Sequence, residues 1–276
     1  MTRVPLTLDD IPRLRCVLFD LDGVVFLGKT RLPGAQELFE VLQRHNIPYS
    51  LITNNSTLTP SQYVAKLAAM GIDVPEHTVF TSGVATAMVM QRLEPNGAPI
   101  YIIGEEGLRQ PMLQAGFWID EQAPKYVIVG LDRQLTYDKL RLAALAIRRG
   151  ATFIAANPDT TLPTEEGLVP GCGSILAALV TATDVQPRVI GKPSADMIDL
   201  AVEMLGADKS RTVIIGDRWD TDILAGQRGG IGTLMVLTGV TRAEEIGSLP
   251  VAPDVVLPDL IDFRRRLEPG LAHQAE

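Results

Sequence analysis

Two aspartates stand directly after a short apolar run near the start of the chain. The run Cys16 to Phe19 is apolar, and Asp20 and Asp22 follow it, with Gly23 behind them. This pattern predicts a buried strand that ends at two carboxylates. Because parallel α/β sheets place their ligands at the carboxyl ends of strands, we interpret Asp20 as a nucleophile and Asp22 as its acid/base partner.

Polar residues also follow three further predicted strands, which lie far apart in the sequence. These residues are, in chain order, Thr53 with Asn54 and Asn55, then Lys192, and then Asp217 with Asp222 five residues later. If the strands are neighbours, all of these side chains meet Asp20 and Asp22 along one edge of one sheet.

The residue types at these strand ends match the needs of phosphoryl transfer. That reaction requires an in-line nucleophile, a cation against the spreading charge, donors for the equatorial oxygens and an acid for the leaving oxygen. Two or three converging carboxylates suit Mg²⁺, which prefers oxygen ligands. Lys192, at a predicted helix start, can pair with both Asp20 and a phosphate, while Thr53 and the two asparagines supply neutral donors.

Strands and helices alternate along the whole chain. We predict helices over 33–46, 59–71, 105–115, 136–149 and 194–205, and middle strands over 100–103, 126–129 and 152–155. The alternation is typical of an α/β fold with a doubly wound, mainly parallel, Rossmann-like sheet. Because the chemistry-bearing strands lie at both extremes of the sequence, we predict a discontinuous core of residues 1–80 and 187–276 with a large inserted α/β cap domain of residues 81–186.

The composition restricts the classes of function. A formal net charge of -8 argues against a nucleic-acid or anionic-membrane partner, since both require a basic surface. We find no apolar run of roughly 18 residues that could span a membrane and no apolar segment of signal-peptide form at the amino terminus. The chain has only 2 cysteines, so neither a disulfide framework nor a zinc site is indicated, and a reducing cytoplasm is expected.

Four sequence motifs resemble, in order, those of the haloacid dehalogenase-like hydrolase superfamily. They are Asp20-Leu21-Asp22-Gly23-Val24, Thr53-Asn54-Asn55, Gly191-Lys192-Pro193 and the stretch from Gly216 to Asp222. The long interval between the second and third motifs is similar to the large cap of the subfamily that contains the NagD-type, 4-nitrophenyl phosphate and phosphoglycolate phosphatases.

The resemblance implies a role for each motif residue. Asp20 would be the nucleophile and a magnesium ligand, and Asp22 would be the acid/base and bind magnesium through its backbone carbonyl. Lys192 would bridge charge, Asp217 would bind the metal directly, and Asp222 would complete the metal group by orienting a bound water or Lys192. Thr53, Asn54 and Asn55 would donate to the phosphate. The implied reaction is hydrolysis of small phosphate monoesters through an aspartyl phosphate.

Other functions remain alternatives. Each motif alone also has a purely structural explanation, as a helix cap, a turn, a loop lysine or a solvated acidic loop, and the joint order of the motifs is what favours catalysis. A phosphotransferase shares the chemistry, although a phosphomutase of this superfamily usually has a small cap between the first two motifs, where this chain has only about 30 residues. A catalytically inactive phosphometabolite-binding or regulatory protein would be expected to lack Asp20, Asp22, Lys192 or Asp217, and all four are present.

The inserted cap is expected to choose the substrate, because the core handles only the phosphoryl group. Asn157, Asp159 and Thr160 follow a predicted cap strand and are our candidates for substrate contacts, although Asn157-Pro158-Asp159 is equally explained as a turn. Sugar phosphates, glycerol phosphate, phosphoglycolate and pyridoxal phosphate all stay open as substrates. The cap is also a candidate surface for a homodimer.

Overall fold

A computed structural model describes residues 5–164 and 166–272 of the chain, and these residues divide into two compact units. The first unit comprises 5–52, Val64–Val79 and 192–272, and the second comprises Thr53–Tyr63 and Phe80–Gly191. The short segment Thr53–Tyr63 therefore groups with the inserted region, although it lies between two segments of the first unit in the sequence.

The described strands are short, and most belong to one of two sheets. In chain order they are β1 (Cys16–Phe19), β2 (Phe26–Leu27), β3 (Thr30–Arg31), β4 (Tyr49–Thr53), β5 (Val79–Thr81), β6 (Pro99–Ile103), β7 (Trp118–Ile119), β8 (Tyr126–Val129), β9 (Thr152–Ala155), β10 (Thr161–Thr164), β11 (Gly167–Pro170), β12 (Arg188–Val189), β13 (Thr212–Gly216), β14 (Gly232–Val236) and β15 (Val255–Leu257).

The described α-helices alternate with these strands. They are α1 (Ala35–Arg44), α2 (Pro60–Ala68), α3 (Ser82–Leu93), α4 (Glu106–Gln114), α5 (Tyr137–Arg148), α6 (Cys172–Thr183), α7 (Ala195–Met204), α8 (Leu224–Gly229) and α9 (Leu260–Ala272). The five helices that the sequence predicted are thus confirmed, as are the middle strands. None of the helices described is both long and apolar enough to cross a lipid bilayer.

A six-stranded sheet holds the strands with chemistry at their ends. Its order is β15-β14-β13-β1-β4-β5, and the pairs from β15 to β4 are parallel. All residues of β1 and β13 are buried, as expected for a parallel sheet covered on both faces. Because β1 lies between β13 and β4, the carboxyl ends of these three strands lie side by side.

The second unit contains a sheet of its own. Its five strands run in the order β12-β9-β8-β6-β7 and all pair in parallel, while β10 and β11 form a separate antiparallel hairpin. Helices α5 and α6 pack on this sheet through a buried apolar cluster that includes Ala143, Ile147, Leu176, Val129 and Phe153. The whole chain is therefore an α/β protein with mainly parallel sheets, as predicted.

The condition that all four strands are neighbours in one sheet is not met. The strand that precedes Lys192, β12, pairs with β9 at an edge of the five-stranded sheet, with Arg188 opposite Ile154. Only three of the four predicted strand ends therefore share one sheet. A strand of two residues carries too little apolar pattern for the sequence to indicate which sheet it joins.

Candidate active site

Asp20 lies at the carboxyl end of a fully buried strand. Its amide donates to the Ile215 carbonyl of β13 at 2.9 Å, so the parallel ladder continues up to this residue. Its carboxylate Oδ1 accepts a hydrogen bond from Lys192 Nζ at 2.5 Å. The apolar run and the ladder together fix the backbone of Asp20 and direct its side chain to a single cation.

Lys192 is a buried cation that joins two carboxylates. Only 2% of its surface is exposed, and its Nζ donates to Asp20 Oδ1 and, at 2.6 Å, to Asp222 Oδ1. Burial opposes the charged form, but Asp20 and Asp222 outweigh that effect, so the pKa of Lys192 is raised. A buried lysine is tolerated here because it is paired on two sides.

Asp217 and Asp222 reach the same place through the turn that follows β13. A π-helical turn, Trp219–Ile223, carries Asp222 back beneath Gly216, where any side chain would collide with the Asp222 carboxylate. The second oxygen of Asp222 accepts the Arg218 amide at 3.1 Å. Asp217 Oδ2 accepts the Val240 amide at 2.7 Å. The turn thus brings two further carboxylates to Lys192.

The resulting cluster has more negative than positive charge. Asp20, Asp217 and Asp222 each offer an oxygen within 4.8 Å of the other two, and Lys192 is the ammonium in contact with the cluster. Burial, followed by repulsion from Asp222, raises the pKa of Asp217 to about 7, and burial likewise raises the pKa of Asp20. The group carries a surplus of two negative charges when all four residues are ionised.

One fully buried oxygen in this cluster has no hydrogen-bond partner among the described residues. It is Asp217 Oδ1, which is buried. A buried carboxylate oxygen without a donor is costly unless a cation or water binds it. The orphan oxygen, the three converging carboxylates and the surplus charge together fit a divalent cation with oxygen ligands.

Asp22 lies outside this cluster and is open to solvent. Partial loss of hydration raises the pKa of its carboxyl, whereas the Lys66 ammonium and the Gly28 amide lower it. The Lys66 ammonium also lies 4.1 Å from the centre of the Phe26 ring. Sequence reasoning missed Lys66, because nothing in an ordinary helix sequence indicated that this lysine faces Asp22.

The loop after β4 is held by hydrogen bonds of its own residues. Thr53 Oγ1 accepts the Asn55 amide at 3.2 Å, and Asn55 Oδ1 accepts both the amide and the hydroxyl of Thr57 at 2.8 Å. Thr59 and Gln62 form a capping box at the start of α2, with reciprocal bonds of 3.3 and 2.9 Å. The loop is therefore ordered up to the start of α2.

The three candidate residues after β9 differ in their surroundings. Asn157 is buried and donates to the Asn54 carbonyl at 2.7 Å, and Asp159 accepts from the Asn54 side chain at 3.0 Å. Thr160 is exposed. Ser82, which sequence reasoning did not consider, also donates to the Asn54 carbonyl. All of these residues belong to the second unit.

Two family models match the chain. A model described as haloacid dehalogenase-like hydrolase matches residues 17–118, and one of HAD-like hydrolases matches residues 189–263. The first match contains the Asp20 and Thr53 motifs, and the second contains the Lys192 and Asp217 motifs.

Named relatives and solved structures align over most of the chain. An acid sugar phosphatase of Staphylococcus aureus is 40% identical over 255 residues, which are 92% of this chain and 98% of the relative. The structure of a 4-nitrophenylphosphatase from Thermotoga maritima is 35% identical, covers 95% of this chain and 100% of its own, and has a TM-score of 0.89. NagD from E. coli K-12 is 36% identical, with 90% and 97% covered and a TM-score of 0.85.

Proposed function

This chain belongs to the haloacid dehalogenase-like hydrolase family and is a phosphoric monoester hydrolase, and we propose that it uses Mg²⁺ to hydrolyse small phosphate monoesters through an aspartyl phosphate. The observation that carries the proposal is the buried contact of Lys192 with Asp20 and Asp222 beside the orphan oxygen of Asp217. Asp20 and Asp217 follow the neighbouring strands β1 and β13, and with Lys192 and Asp222 they combine a nucleophile, a cation and an anionic oxygen suited to a metal ion.

The metal belongs to the carboxylate cluster. Asp20 and Asp217 would hold Mg²⁺ through side-chain oxygens, Asp22 through its backbone carbonyl, and Asp222 would support the group through Lys192. When bound, the ion would neutralise the surplus negative charge of the carboxylates and the negative charge on the phosphoryl oxygens. Asp222 fits a supporting position because both of its oxygens already accept hydrogen bonds.

Asp20 is the proposed nucleophile of the first step. Its carboxylate oxygen bonds to phosphorus as the bond from phosphorus to the leaving oxygen breaks, and protonated Asp22 gives its proton to that oxygen. Lys192 holds Asp20 through Oδ1 and counters its charge. Thr53, the last residue of β4, and Asn54 and Asn55, which follow it, would donate to the phosphoryl oxygens.

Asp22 serves as the base of the second step. Its carboxylate removes a proton from water, the water oxygen bonds to phosphorus, and the bond between phosphorus and Asp20 breaks to release inorganic phosphate. The raised pKa of Asp22 and its exposure to solvent support this alternation, because the group must hold a proton in one step and lose it in the other.

Sugar phosphates and aryl phosphates are the first substrates to test. The acid sugar phosphatase and 4-nitrophenylphosphatase relatives support them, and glycerol phosphate and phosphoglycolate complete the panel. Thr160, exposed in the second unit, is our remaining candidate for a leaving-group contact. We also propose a homodimer through the second unit. The two cysteines described, Cys16 and Cys172, are buried and unpaired, which supports the expected cytoplasmic location.

Phosphate release from this panel tests the function. We expect turnover with Mg²⁺, its loss when a chelator is added, and its return when Mg²⁺ is restored. The kcat/KM values then rank the substrates. Turnover that is unchanged in a metal-free solution would contradict the magnesium requirement, and no release from any substrate would contradict the phosphatase proposal.

A further inference from the structure

Asn54 is anchored to the residues after β9 on both its backbone and its side chain. Asn157 Nδ2 donates to the Asn54 carbonyl at 2.7 Å, and Asn54 Nδ2 donates to Asp159 Oδ1 at 3.0 Å. The Ser82 hydroxyl donates to the same carbonyl at 2.5 Å. The two bonds from Asn157 and Asp159 join residues more than 100 positions apart, and the bond from Ser82 joins residues 28 positions apart, so all three are tertiary contacts and not part of a local turn.

Asn157 has little polar capacity left for another ligand. Its Nδ2 is bound to Asn54, and its Oδ1 accepts the Asp159 amide at 3.2 Å. Only 3% of its surface is exposed. Both the nitrogen and the oxygen of the carboxamide are therefore hydrogen-bonded inside the protein. This arrangement suits a side chain that holds the loop better than one that contacts the leaving group of a substrate.

The loop around Asn54 is packed closely against two glycines, Gly130 and Gly191. A Cβ atom at Gly191 would lie 2.7 Å from Asn54 Oδ1 and 3.2 Å from the Asn157 Cβ atom, and one at Gly130 would lie 2.6 Å from Ser56 Oγ. Such distances are shorter than van der Waals contact, so glycine is required at both positions. The packing leaves Asn54 little freedom to move.

We propose that Asn157 and Asp159 are positioning residues that hold Asn54, and through it the phosphate-donating loop, in its binding position. The inference rests on the proposed function, in which Thr53, Asn54 and Asn55 donate to the phosphoryl group. The phosphoryl group is common to all substrates. Loosening the loop should therefore lower kcat/KM for every substrate by the same factor. A residue that contacts the leaving group would instead change the ranking of substrates.

The first test compares substrates with different leaving groups. In Asp159→Ala and Asn157→Ala we expect kcat/KM for 4-nitrophenyl phosphate, glycerol phosphate and a hexose phosphate to fall by one common factor of roughly 10 to 100. Inorganic phosphate should inhibit more weakly by a comparable factor. Losses that differ strongly between substrates, with unchanged inhibition by phosphate, would overturn the proposal.

Two further variants separate positioning from charge and from general disturbance. Asp159→Asn keeps an oxygen that accepts from Asn54, so it should restore near wild-type inhibition by phosphate. Ser174→Ala is the matched control, because its hydroxyl donates at 2.9 Å to the Thr160 carbonyl of the same loop and makes no bond to Asn54. We expect Ser174→Ala to leave phosphate inhibition unchanged, and an effect equal to that of Asp159→Ala would contradict the specific anchor.

A double-mutant cycle completes the test and does not depend on the buried Asn157. If Asp159 acts through the Asn54 amide, Asp159→Ala should have almost no further effect in an Asn54→Ala background. Fully additive losses would overturn the proposal. Absence of turnover in the wild-type protein would contradict the proposed function instead, whereas substrate-dependent losses in an active enzyme contradict only the anchoring.

Discussion

At the end of β1, Asp20 meets an ammonium group and two more carboxylates, whereas at the end of β9, Asn157 meets amides and carbonyls. Both strands are central in parallel sheets, and both are followed by buried polar residues. The first cluster keeps surplus charge and an orphan carboxylate oxygen, while in the second the neutral Asn157 carboxamide is hydrogen-bonded at both ends inside the protein. The comparison indicates that unbalanced buried charge, and not a polar strand end alone, marks the place where this chain would hold a cation.

The largest expected effect comes from removing the nucleophile of the charged cluster. Asp20→Asn should reduce turnover by roughly 10⁴-fold or more, because an amide cannot form the acyl phosphate. Phosphate release at saturating substrate measures it. Asp220→Asn is the matched control, since Asp220 is a partly exposed aspartate paired with Arg218, and it should retain activity. Normal turnover by Asp20→Asn would show that the charged cluster after β1 does not supply the nucleophile.

The second effect separates the two catalytic steps. Asp22→Asn should slow turnover by roughly 10²- to 10⁴-fold, because neither the leaving oxygen nor the attacking water is assisted. Slow phosphorylation would continue, and a phosphorylated Asp20 should accumulate. Intact-protein mass spectrometry after mixing with 4-nitrophenyl phosphate would detect it. A variant that hydrolyses substrate at the wild-type rate would show that the acid/base lies elsewhere.

The third effect concerns stability at the charged cluster. Lys192→Met should destabilise the protein by about 3–5 kcal/mol, because it leaves buried carboxylates without their cation. Denaturant unfolding measures the change. Lys209→Met is the comparison variant, because Lys209 pairs with Asp199 at 2.6 Å on the exposed surface and should change stability little. Equal effects from the two variants would mean that burial does not distinguish these ion pairs.

The smallest effect is a pH dependence that follows from the pKa of Asp217. The folded value is about 7 and the ordinary value is 3.8, so the folded state binds the proton more tightly. In metal-free protein the stabilisation that Asp217 contributes is therefore complete below the ordinary pKa, and up to a few kcal/mol of it should be lost as the pH rises through the folded value of about 7. Melting temperatures in chelator between pH 5 and pH 8 measure it.

Mg²⁺ should reverse this trend, because the metal binds the deprotonated carboxylates. We expect added Mg²⁺ to raise the melting temperature more at pH 8 than at pH 5. In Asp217→Asn both the loss of stability with pH and the gain with Mg²⁺ should shrink. An unchanged pH dependence in that variant would show that the surplus charge lies on other groups.

The sequence predicted the charged cluster better than the neutral one. Asp20, Lys192, Asp217 and Asp222 were expected together, and the structure brings them into contact, although Lys192 arrives by a different sheet from the one expected. Charged residues directly after an apolar run form a pattern that can be recognised within a few residues of sequence. The hydrogen bonds from Asn54 to Asn157 and Asp159 leave no such pattern, because each of these residues alone is typical of a turn.

The shortest strands could also not be predicted from the sequence. The two-residue strands β2, β3 and β7 carry no periodic pattern, and the hairpin of β10 and β11 was not predicted. Their pairing depends on tertiary contacts, which local propensity does not encode. By contrast, α1 and α5 combine apolar spacing with clear ends, and both were predicted within two residues of their observed limits.

The grouping of Thr53–Tyr63 with the second unit has a consequence for protein engineering. A chimera that exchanges only residues 80–191 with those of a relative would separate Asn54 from the side chains that bind it, and Leu58 from Gly107, against which it packs. The transplanted piece should therefore be two stretches of chain, with the segment after β4 taken from the same donor as the insert. Substrate preference would then be exchanged together with the loop that its own asparagine and aspartate hold.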